Sequence, residues 1–252
     1  MAAPHAAVIV SANGFFIVSD AGNGKRNTTA SLNFEEARKD MVARQIRDRG
    51  IHSARVLEAM QRVPRHLFVP PEHIGAAYAD EPLPIGEGQT ISQPFMVAAM
   101  SEALGLEGHE RVLEVGAGSG YQSAILSLLA RDVTGIESQP ALAASARERL
   151  SRLGFPNVRI IGGDGSAGWA QGAPYDAILV AAAAPGIPPP LVDQLAEGGR
   201  LVIPVGPPEQ QDLIRVMKIG GRTTKESLYS CRFVPLLGEF GWAKTKQEIT
   251  SR

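Results

Sequence analysis

A short stretch at residues 111–121, RVLEVGAGSGY, constrains the fold more than any other part of the chain. Its first five residues are apolar and β-branched enough for a buried parallel strand. Gly116, Gly118 and Gly120 then occupy alternate positions, and an apolar run with helical spacing follows over residues 121–130. A strand, a glycine-rich turn and a helix N-terminus present free backbone N–H groups, and without Cβ atoms a ligand can approach the backbone closely. The stretch therefore predicts a ligand-binding turn in an α/β fold.

The glycine spacing and the nearby acids indicate which ligand would bind. A dinucleotide site needs its third glycine at position 121, where this chain has Tyr121. Glu114, two residues before the first glycine, would repel a pyrophosphate but can pair with a cationic amino group. Glu137 closes the next predicted strand, where a carboxylate can accept hydrogen bonds from both hydroxyls of a ribose. Asp164 and Gly165 follow the third strand, where an adenine could lie. An amino-acid cation, a ribose and an adenine together describe S-adenosylmethionine.

Each of these acids also has a structural interpretation. Glu114 could cap the neighbouring helix, and Glu137 could be an exposed acid at the end of a strand. Asp164 could be a turn residue, since Asp-Gly is a common turn dipeptide. In the context of the glycine motif we favour a contact with the cofactor for all three residues.

A loop rich in glycine and proline, residues 82–92, precedes the glycine motif and is expected to be irregular. It ends in Gln-Thr-Ile-Ser, directly before a helix that has Pro94 in its first turn. Ser92 could simply cap that helix, and its position alone favours this interpretation. Thr90 and Ser92 lie two residues apart beside free N–H groups, so their hydroxyls could also bind a carboxylate. The residues alone leave both interpretations open.

The motif VLEVGAGSGYQSAIL resembles motif I of the class I S-adenosylmethionine-dependent methyltransferases. With GQTISQPFMVAAM before it and GGRLVIPVG and RFVPL after it, the chain is similar to the protein-L-isoaspartate O-methyltransferase family over about residues 34–240. Motif I identifies the superfamily, and the TISQP segment points to the single activity. The resemblance implies methyl transfer from S-adenosyl-L-methionine to the free α-carboxylate of L-isoaspartyl residues in damaged proteins and peptides. The products would be S-adenosyl-L-homocysteine and a methyl ester, which starts repair to normal aspartyl.

The resemblance also implies roles for individual residues. The serine that matches Ser92 is the active-site residue of the family, and the small residues from Ala181 onward would leave room beside the sulfonium. The expected substrate contacts are Thr90, Ile91, Ser92, Pro94 and Val234. The expected cofactor contacts are Glu114, Gly116, Gly118, Gly120, Glu137, Asp164, Gly165 and Ala181.

Composition excludes several other functions. The chain has 252 residues and a net charge of −1, so no electrostatic signal favours nucleic acid or a membrane surface. One cysteine, Cys231, excludes an intramolecular disulfide and suits a reducing cytosol, and five scattered histidines show no ligand spacing, so no metal is expected. Residues 6–18 are rather apolar, but they are interrupted and no Lys or Arg precedes them, which does not match a secretory signal. A cytoplasmic monomer is therefore expected.

Alternating strands and helices predict the α/β class, with a Rossmann-like doubly wound, mostly parallel sheet and helices on both faces. An N-terminal helical cap and C-terminal antiparallel strands are expected to complete it. Residues 1–33 are predicted to form a flexible extension, residues 34–240 a single methyltransferase domain, and residues 241–252 a polar tail. Within the domain, residues 34–110 would hold the cap helices and the substrate loop, and residues 111–240 the nucleotide-binding sheet.

Periodicity and turn residues predict the individual elements. The predicted helices cover residues 34–49, 53–61, 94–104, 121–130 and 141–153, and the predicted strands cover residues 111–115, 133–137, 158–161, 175–180, 198–206, 213–219 and 228–234. The alternatives for the function are a methyltransferase that acts on another small-molecule or protein carboxylate or on nucleic acid, and a non-catalytic module that has kept the fold.

Overall fold

The structure is a computed structural model that describes residues 33–243 and the backbone of two short strands before them. These strands, β1 (Val8–Val10) and β2 (Phe16–Val18), form an antiparallel pair. Apart from these strands and Asn33, the predicted flexible extension over residues 1–33 lies outside the described residues, as does most of the predicted tail.

A continuous helical segment begins at Phe34. Helix α1 (Phe34–Asp40) begins after Asn33, whose side-chain oxygen accepts a hydrogen bond from the N–H of Glu36 at 3.1 Å. The predicted helix to residue 49 is not regular, because it continues as a π-helical segment (Met41–Ile46) and a 3-10 turn (Arg47–Arg49). In π geometry residues five apart face the same side, and the first and last residues of the π segment are both fully buried.

The next segment supplies one further helix and a hairpin. Helix α2 (Ala54–Arg62) begins at the predicted cap, Ser53, which accepts a hydrogen bond from the N–H of Val56 at 3.4 Å. After two 3-10 turns (Arg65–Phe68 and Pro71–Ala76), β3 (Leu83–Gly86) and β4 (Gln89–Ile91) pair in antiparallel orientation. The prediction of an irregular loop is therefore wrong. Glu87 and Gly88, with φ of +52° and +67°, form the two-residue hairpin turn between Gly86 and Gln89.

A seven-stranded sheet forms the centre of the molecule. Its elements and the preceding helix are, in chain order, α3 (Pro94–Leu104), β5 (Arg111–Val115), α4 (Tyr121–Ser127), β6 (Asp132–Glu137), α5 (Pro140–Arg152), β7 (Val158–Gly162), β8 (Tyr175–Val180), α6 (Pro189–Asp193), β9 (Leu195–Val205), β10 (Gln211–Ile219) and β11 (Arg222–Cys231). The strand order is β11-β10-β9-β8-β5-β6-β7, with β5 to β9 parallel and β10 and β11 antiparallel. The predicted α/β fold with antiparallel C-terminal strands is confirmed.

Both faces of the sheet are apolar and covered. Along β5, Val112 belongs to one hydrophobic cluster, with residues of α2 to α5, whereas Leu113 and Val115 belong to a second cluster with Leu191 of α6. Successive side chains of a strand point to opposite faces, so the two clusters lie on opposite sides of the sheet. This explains why the central strands read as continuous apolar runs.

The last strand begins earlier than the sequence predicts. The predicted strand over residues 228–234 corresponds to β11, which starts at Arg222, directly after a two-residue turn of Gly220 and Gly221 with φ of +59° and +70°, and ends at Cys231. Residues 222–227 are polar and exposed because β11 is at the edge of the sheet, so no hydrophobic pattern marks them.

The chain stays packed after β11 ends. The N–H of Ala183 donates to the carbonyl oxygen of Val234 at 2.8 Å, and the N–H of Leu236 donates to the carbonyl oxygen of Ala183 at 2.7 Å. The indole N–H of Trp242 reaches the same Ala183 oxygen at 3.1 Å. Trp242 therefore belongs to the packed structure, although the sequence predicts a polar tail from residue 241.

Candidate active site

A first cavity, the glycine-loop cavity, lies at the carboxyl ends of three neighbouring strands. It is lined by residues that follow β5, by Glu137 at the end of β6 and by Ala181 after β8. In the sheet, β6 lies on one side of β5, and β8 lies on the other side, so the order of the strands reverses at β5. Ligands of doubly wound folds bind at this change of direction.

The three glycines of the motif have different roles in the structure. Gly116 and Gly118 line the glycine-loop cavity with φ of +87° and +52°, and a Cβ on Gly118 would lie 3.2 Å from the side chain of Ile85. Gly120 lies outside the lining, and a Cβ there would meet the side chain of Leu150 on α5 at 3.1 Å. The first two glycines therefore leave space for a ligand, whereas the third allows α4 and α5 to pack closely.

The structure places Glu137 in the glycine-loop cavity with its carboxylate fixed. One oxygen, Oε2, accepts a hydrogen bond from the N–H of Gly118 at 2.8 Å, and Oε1 accepts one from the N–H of Gln139 at 2.8 Å. The residue is 5% exposed. A carboxylate held in this way keeps further lone pairs available for the hydroxyls of a sugar.

Glu114 occupies a different place from the one that its sequence position suggests. It is 0% exposed and lies outside the lining of the cavity. Its Oε2 accepts a hydrogen bond from the hydroxyl of Ser123 on α4, and burial raises the pKa of its carboxyl to about 8. Glu114 lies on the same face of β5 as Val112, which packs against α2 to α5, and its side chain therefore points toward α4. The structure shows a contact with the neighbouring helix, and the expected contact with a cationic amino group stays a prediction.

Asp164 makes the contacts expected of a turn residue, which is its alternative interpretation. Its Oδ1 accepts a hydrogen bond from the N–H of Ser166, and its Oδ2 accepts one from the N–H of Glu239, both at 2.8 Å. The carboxylate therefore caps a 3-10 turn and anchors the C-terminal segment. Gly165, the next residue, lines the glycine-loop cavity, and Asp164 does not.

A second cavity, the outer cavity, adjoins the first one. Thr90, Ser92, Ala181, Val234 and Pro235 line both cavities, and we refer to these five residues as the shared wall. Four of them were expected from the sequence to contact cofactor or substrate. The structure thus brings residues from three distant segments of the chain to one place.

The start of α3 does not support the capping interpretation of Ser92. The N-cap of α3 is Gln93, whose side chain makes no capping hydrogen bond, and Pro94 occupies the first helical position. Ser92 therefore precedes the cap, and its hydroxyl forms no hydrogen bond with the described residues. Ile91 lines the glycine-loop cavity, whereas Pro94 is buried in α3 and lines neither cavity.

Several lining residues were not selected from the sequence. Tyr121 and Gln122 line the glycine-loop cavity and directly follow the glycine motif, so their position was a usable signal. In the outer cavity the missed residues include Arg49, Phe95, Tyr229, Arg232 and Trp242. Phe95 and Arg232 lie in segments that carry the family resemblance, so these segments were a usable signal, whereas no local pattern marks the other three.

The described residues contain no cluster of three or more His, Cys, Asp or Glu side chains that could hold a metal ion. The thiol of Cys231 lines the outer cavity, and burial raises its pKa to about 11, so it is a poor nucleophile at neutral pH. Within the same residues no helix combines the length and apolar character needed to cross a membrane.

Comparisons of the sequence with a family model and with known proteins point to the same family. The family model of protein-L-isoaspartate(D-aspartate) O-methyltransferase matches residues 36–241. A protein-L-isoaspartate O-methyltransferase of Methanoculleus marisnigri is 55% identical over 205 residues, which cover 81% of this chain and 93% of the relative. One from Syntrophus aciditrophicus is 53% identical over 213 residues, which cover 83% and 98%.

Solved structures show the same relationship. A protein-L-isoaspartate O-methyltransferase structure superposes with a TM-score of 0.74 at 28% identity, covering 81% of this chain and 67% of the other. A putative enzyme of the same kind from Plasmodium falciparum, in complex with S-adenosyl-L-homocysteine, superposes with a TM-score of 0.68 at 29% identity. That match covers 79% of this chain and 98% of the other.

Proposed function

The chain belongs to the protein-L-isoaspartate(D-aspartate) O-methyltransferase family, and from this premise we propose how its two cavities divide the reaction. The protein transfers a methyl group from S-adenosyl-L-methionine to the α-carboxylate of L-isoaspartyl residues. The glycine-loop cavity takes the cofactor, the outer cavity takes the peptide, and the transfer occurs at the shared wall. The observation that carries this division is that Thr90, Ser92 and Ala181 line both cavities.

The cofactor side fits the chemistry of S-adenosylmethionine. Glu137 presents an ordered carboxylate to the ribose hydroxyls, and Gly116 and Gly118 allow the amino-acid part to approach the backbone. Gly165 lines the same cavity after β7, where the adenine would lie, and its lack of a Cβ lets this turn pack against β5, since a Cβ there would lie 2.6 Å from Val115. When bound, the cofactor supplies a methyl group on a positively charged sulfur that becomes a neutral thioether.

The substrate side needs orientation more than acid or base catalysis. An α-carboxylate has a reference pKa near ~3.5, so it is already ionised at pH 7 and needs no base. Ser92 and Thr90 can donate hydrogen bonds to one carboxylate oxygen and direct the other toward the methyl group. Correct alignment can contribute up to ~7–11 kcal/mol to a reaction of this kind. Ala181 is small enough to leave space between the two partners.

The expected surroundings of the reaction follow from the composition. We propose that the protein acts as a cytoplasmic monomer on damaged proteins and peptides, without nucleic acid, membrane or metal. A net charge of −1 and a single cysteine support this proposal.

The function is tested with two peptides that are identical except for one residue, L-isoaspartate or L-aspartate. Labelled S-adenosylmethionine should transfer its methyl group to the isoaspartyl peptide alone, as a base-labile ester. Equal labelling of both peptides would indicate a less selective carboxyl methyltransferase. If neither peptide is labelled while the cofactor still binds tightly, the substrate is a different molecule.

A further inference from the structure

The outer cavity has an excess of positive charge. Arg49 and Arg232 both line it, and its lining contains no Asp or Glu. The same cavity contains Thr90 and Ser92 of the shared wall. A peptide whose isoaspartyl carboxylate lies at Ser92 must therefore place its neighbouring residues in the same cavity as the two arginines.

Arg49 is fixed and partly neutralised. Its Nη1 lies 2.5 Å from Oδ2 of Asp80, and its guanidinium carbon lies 3.8 Å from the centre of the Phe95 ring. Phe95 in turn packs edge-on against Tyr229, with ring centres 5.6 Å apart. Asp80 offsets the charge of Arg49. The guanidinium of Arg49 therefore supplies hydrogen-bond donors at a fixed position in the outer cavity, and the net positive charge of the cavity comes from another residue.

Arg232 supplies the uncompensated charge. Its side chain is exposed and forms no ion pair with the described residues. It lies two residues before Val234 of the shared wall, so it is close in the chain to the site of transfer. The nearest acid on the neighbouring strand, Asp212, pairs with Ser230 in the register of β10 and β11 and lies outside the cavity lining.

We propose that the outer cavity favours isoaspartyl peptides that carry an acidic side chain next to the modified residue, and that Arg232 is the specificity-determining residue. The inference rests on the proposed function and adds a substrate preference to it. An exposed ion pair contributes up to about 1 kcal/mol, which corresponds to about a fivefold preference. The preference should decrease at high salt, because mobile ions screen exposed charges.

The test uses isoaspartyl peptides that differ only in one neighbouring residue, Glu, Gln or Lys, placed before the isoaspartate in one set and after it in another. The measured quantity is the ratio of kcat/KM for the Glu peptide to that for the Lys peptide, at saturating S-adenosylmethionine. The wild-type ratio should be about five in one of the two sets. Arg232→Gln should bring it close to one, and Arg232→Lys should keep most of it.

A matched control separates a local effect from the overall charge of the protein. Arg222→Gln makes the same change in net charge at an exposed position at the far end of β11, so it should leave the ratio unchanged. Two results would overturn the inference: a wild-type ratio near one in both sets, or an unchanged ratio in Arg232→Gln. Methylation of the Gln peptide by the wild-type protein would show that the proposed function still holds. If the wild-type protein methylates none of the peptides, the proposed function itself fails.

Discussion

Glu137 accepts a hydrogen bond from the backbone N–H of Gly118, and so it ties the end of β6 to the glycine turn after β5. The second oxygen of the carboxylate is bonded to the N–H of Gln139. The acid is thus ordered by two backbone donors before any ligand binds. This order reduces the entropy that is lost when the carboxylate binds a ribose.

Glu137→Gln is therefore expected to weaken cofactor binding. A neutral amide accepts weaker hydrogen bonds than a carboxylate, and its NH2 group cannot accept a hydrogen bond from the backbone N–H that it faces. Kd for S-adenosylmethionine should therefore rise about tenfold. Titration calorimetry measures this change. Glu148→Gln, at an exposed position of α5, is the control and should bind like the wild type. An unchanged Kd in Glu137→Gln would contradict a role of Glu137 in binding the cofactor.

Gly120→Ala is expected to destabilise the protein more than Gly154→Ala. Both glycines have positive φ, +85° and +79°, so each substitution strains the backbone by about 1–2 kcal/mol. Only at Gly120 does the added methyl group meet another side chain, that of Leu150, which should increase the cost by about 1 kcal/mol. Urea denaturation measures both free energies of unfolding. Equal losses would show that the contact with Leu150 relaxes without cost.

The buried carboxyl of Glu114 predicts a dependence of stability on pH. Burial raises its pKa from 4.5 to about 8, so its contribution to stability is complete below pH 4.5 and is lost as the pH rises toward 8. Relative to Glu114→Gln, the wild-type free energy of unfolding should decrease between pH 5 and pH 8, by up to about 1.4 kcal/mol per pH unit. Denaturation at three pH values measures the difference. A difference that stays constant with pH would mean that Glu114 is ionised in the folded protein.

Trp242→Phe is expected to affect the peptide and not the cofactor. Trp242 lines only the outer cavity, and its indole N–H holds the carbonyl of Ala183 beside the shared wall. Loss of this hydrogen bond, about 1 kcal/mol, should raise KM for an isoaspartyl peptide about threefold to fivefold. Steady-state kinetics gives KM, and calorimetry gives the cofactor affinity. If only the cofactor affinity falls, Trp242 supports the glycine-loop cavity instead.

Local sequence patterns predict the central part of the fold well. The strand at residues 111–115, the glycine turn and the start of the helix at Tyr121 are confirmed, because each depends on neighbouring residues only, whereas the helix ends at Ser127 instead of residue 130. The position of Glu137 in the cavity follows from the rule that parallel strands end at one edge of the sheet. Glu114 shows the limit of this rule. Both faces of β5 are apolar, so no alternation in the sequence indicates to which face its side chain points.

The outer cavity could not be predicted in the same way. The contacts of Phe95 with Arg49 and with Tyr229 form only when the 3-10 turn that contains Arg49, helix α3 and strand β11 pack together. Their contacts depend on tertiary structure and leave no periodic signal in the sequence. The early start of β11 has a related cause, since an exposed edge strand requires no apolar residues.

The measurement that tests the account most directly is the effect of Ser92→Ala on kcat and on cofactor affinity. Because Ser92 belongs to the shared wall and does not cap α3, we expect kcat for an isoaspartyl peptide to fall about 10- to 100-fold. Kd for S-adenosylmethionine should stay within about twofold of the wild type, as it should in the exposed control Ser151→Ala, which keeps full activity. An unchanged kcat, or a loss of cofactor binding or of the fold, would contradict the role of Ser92 in orienting the carboxylate.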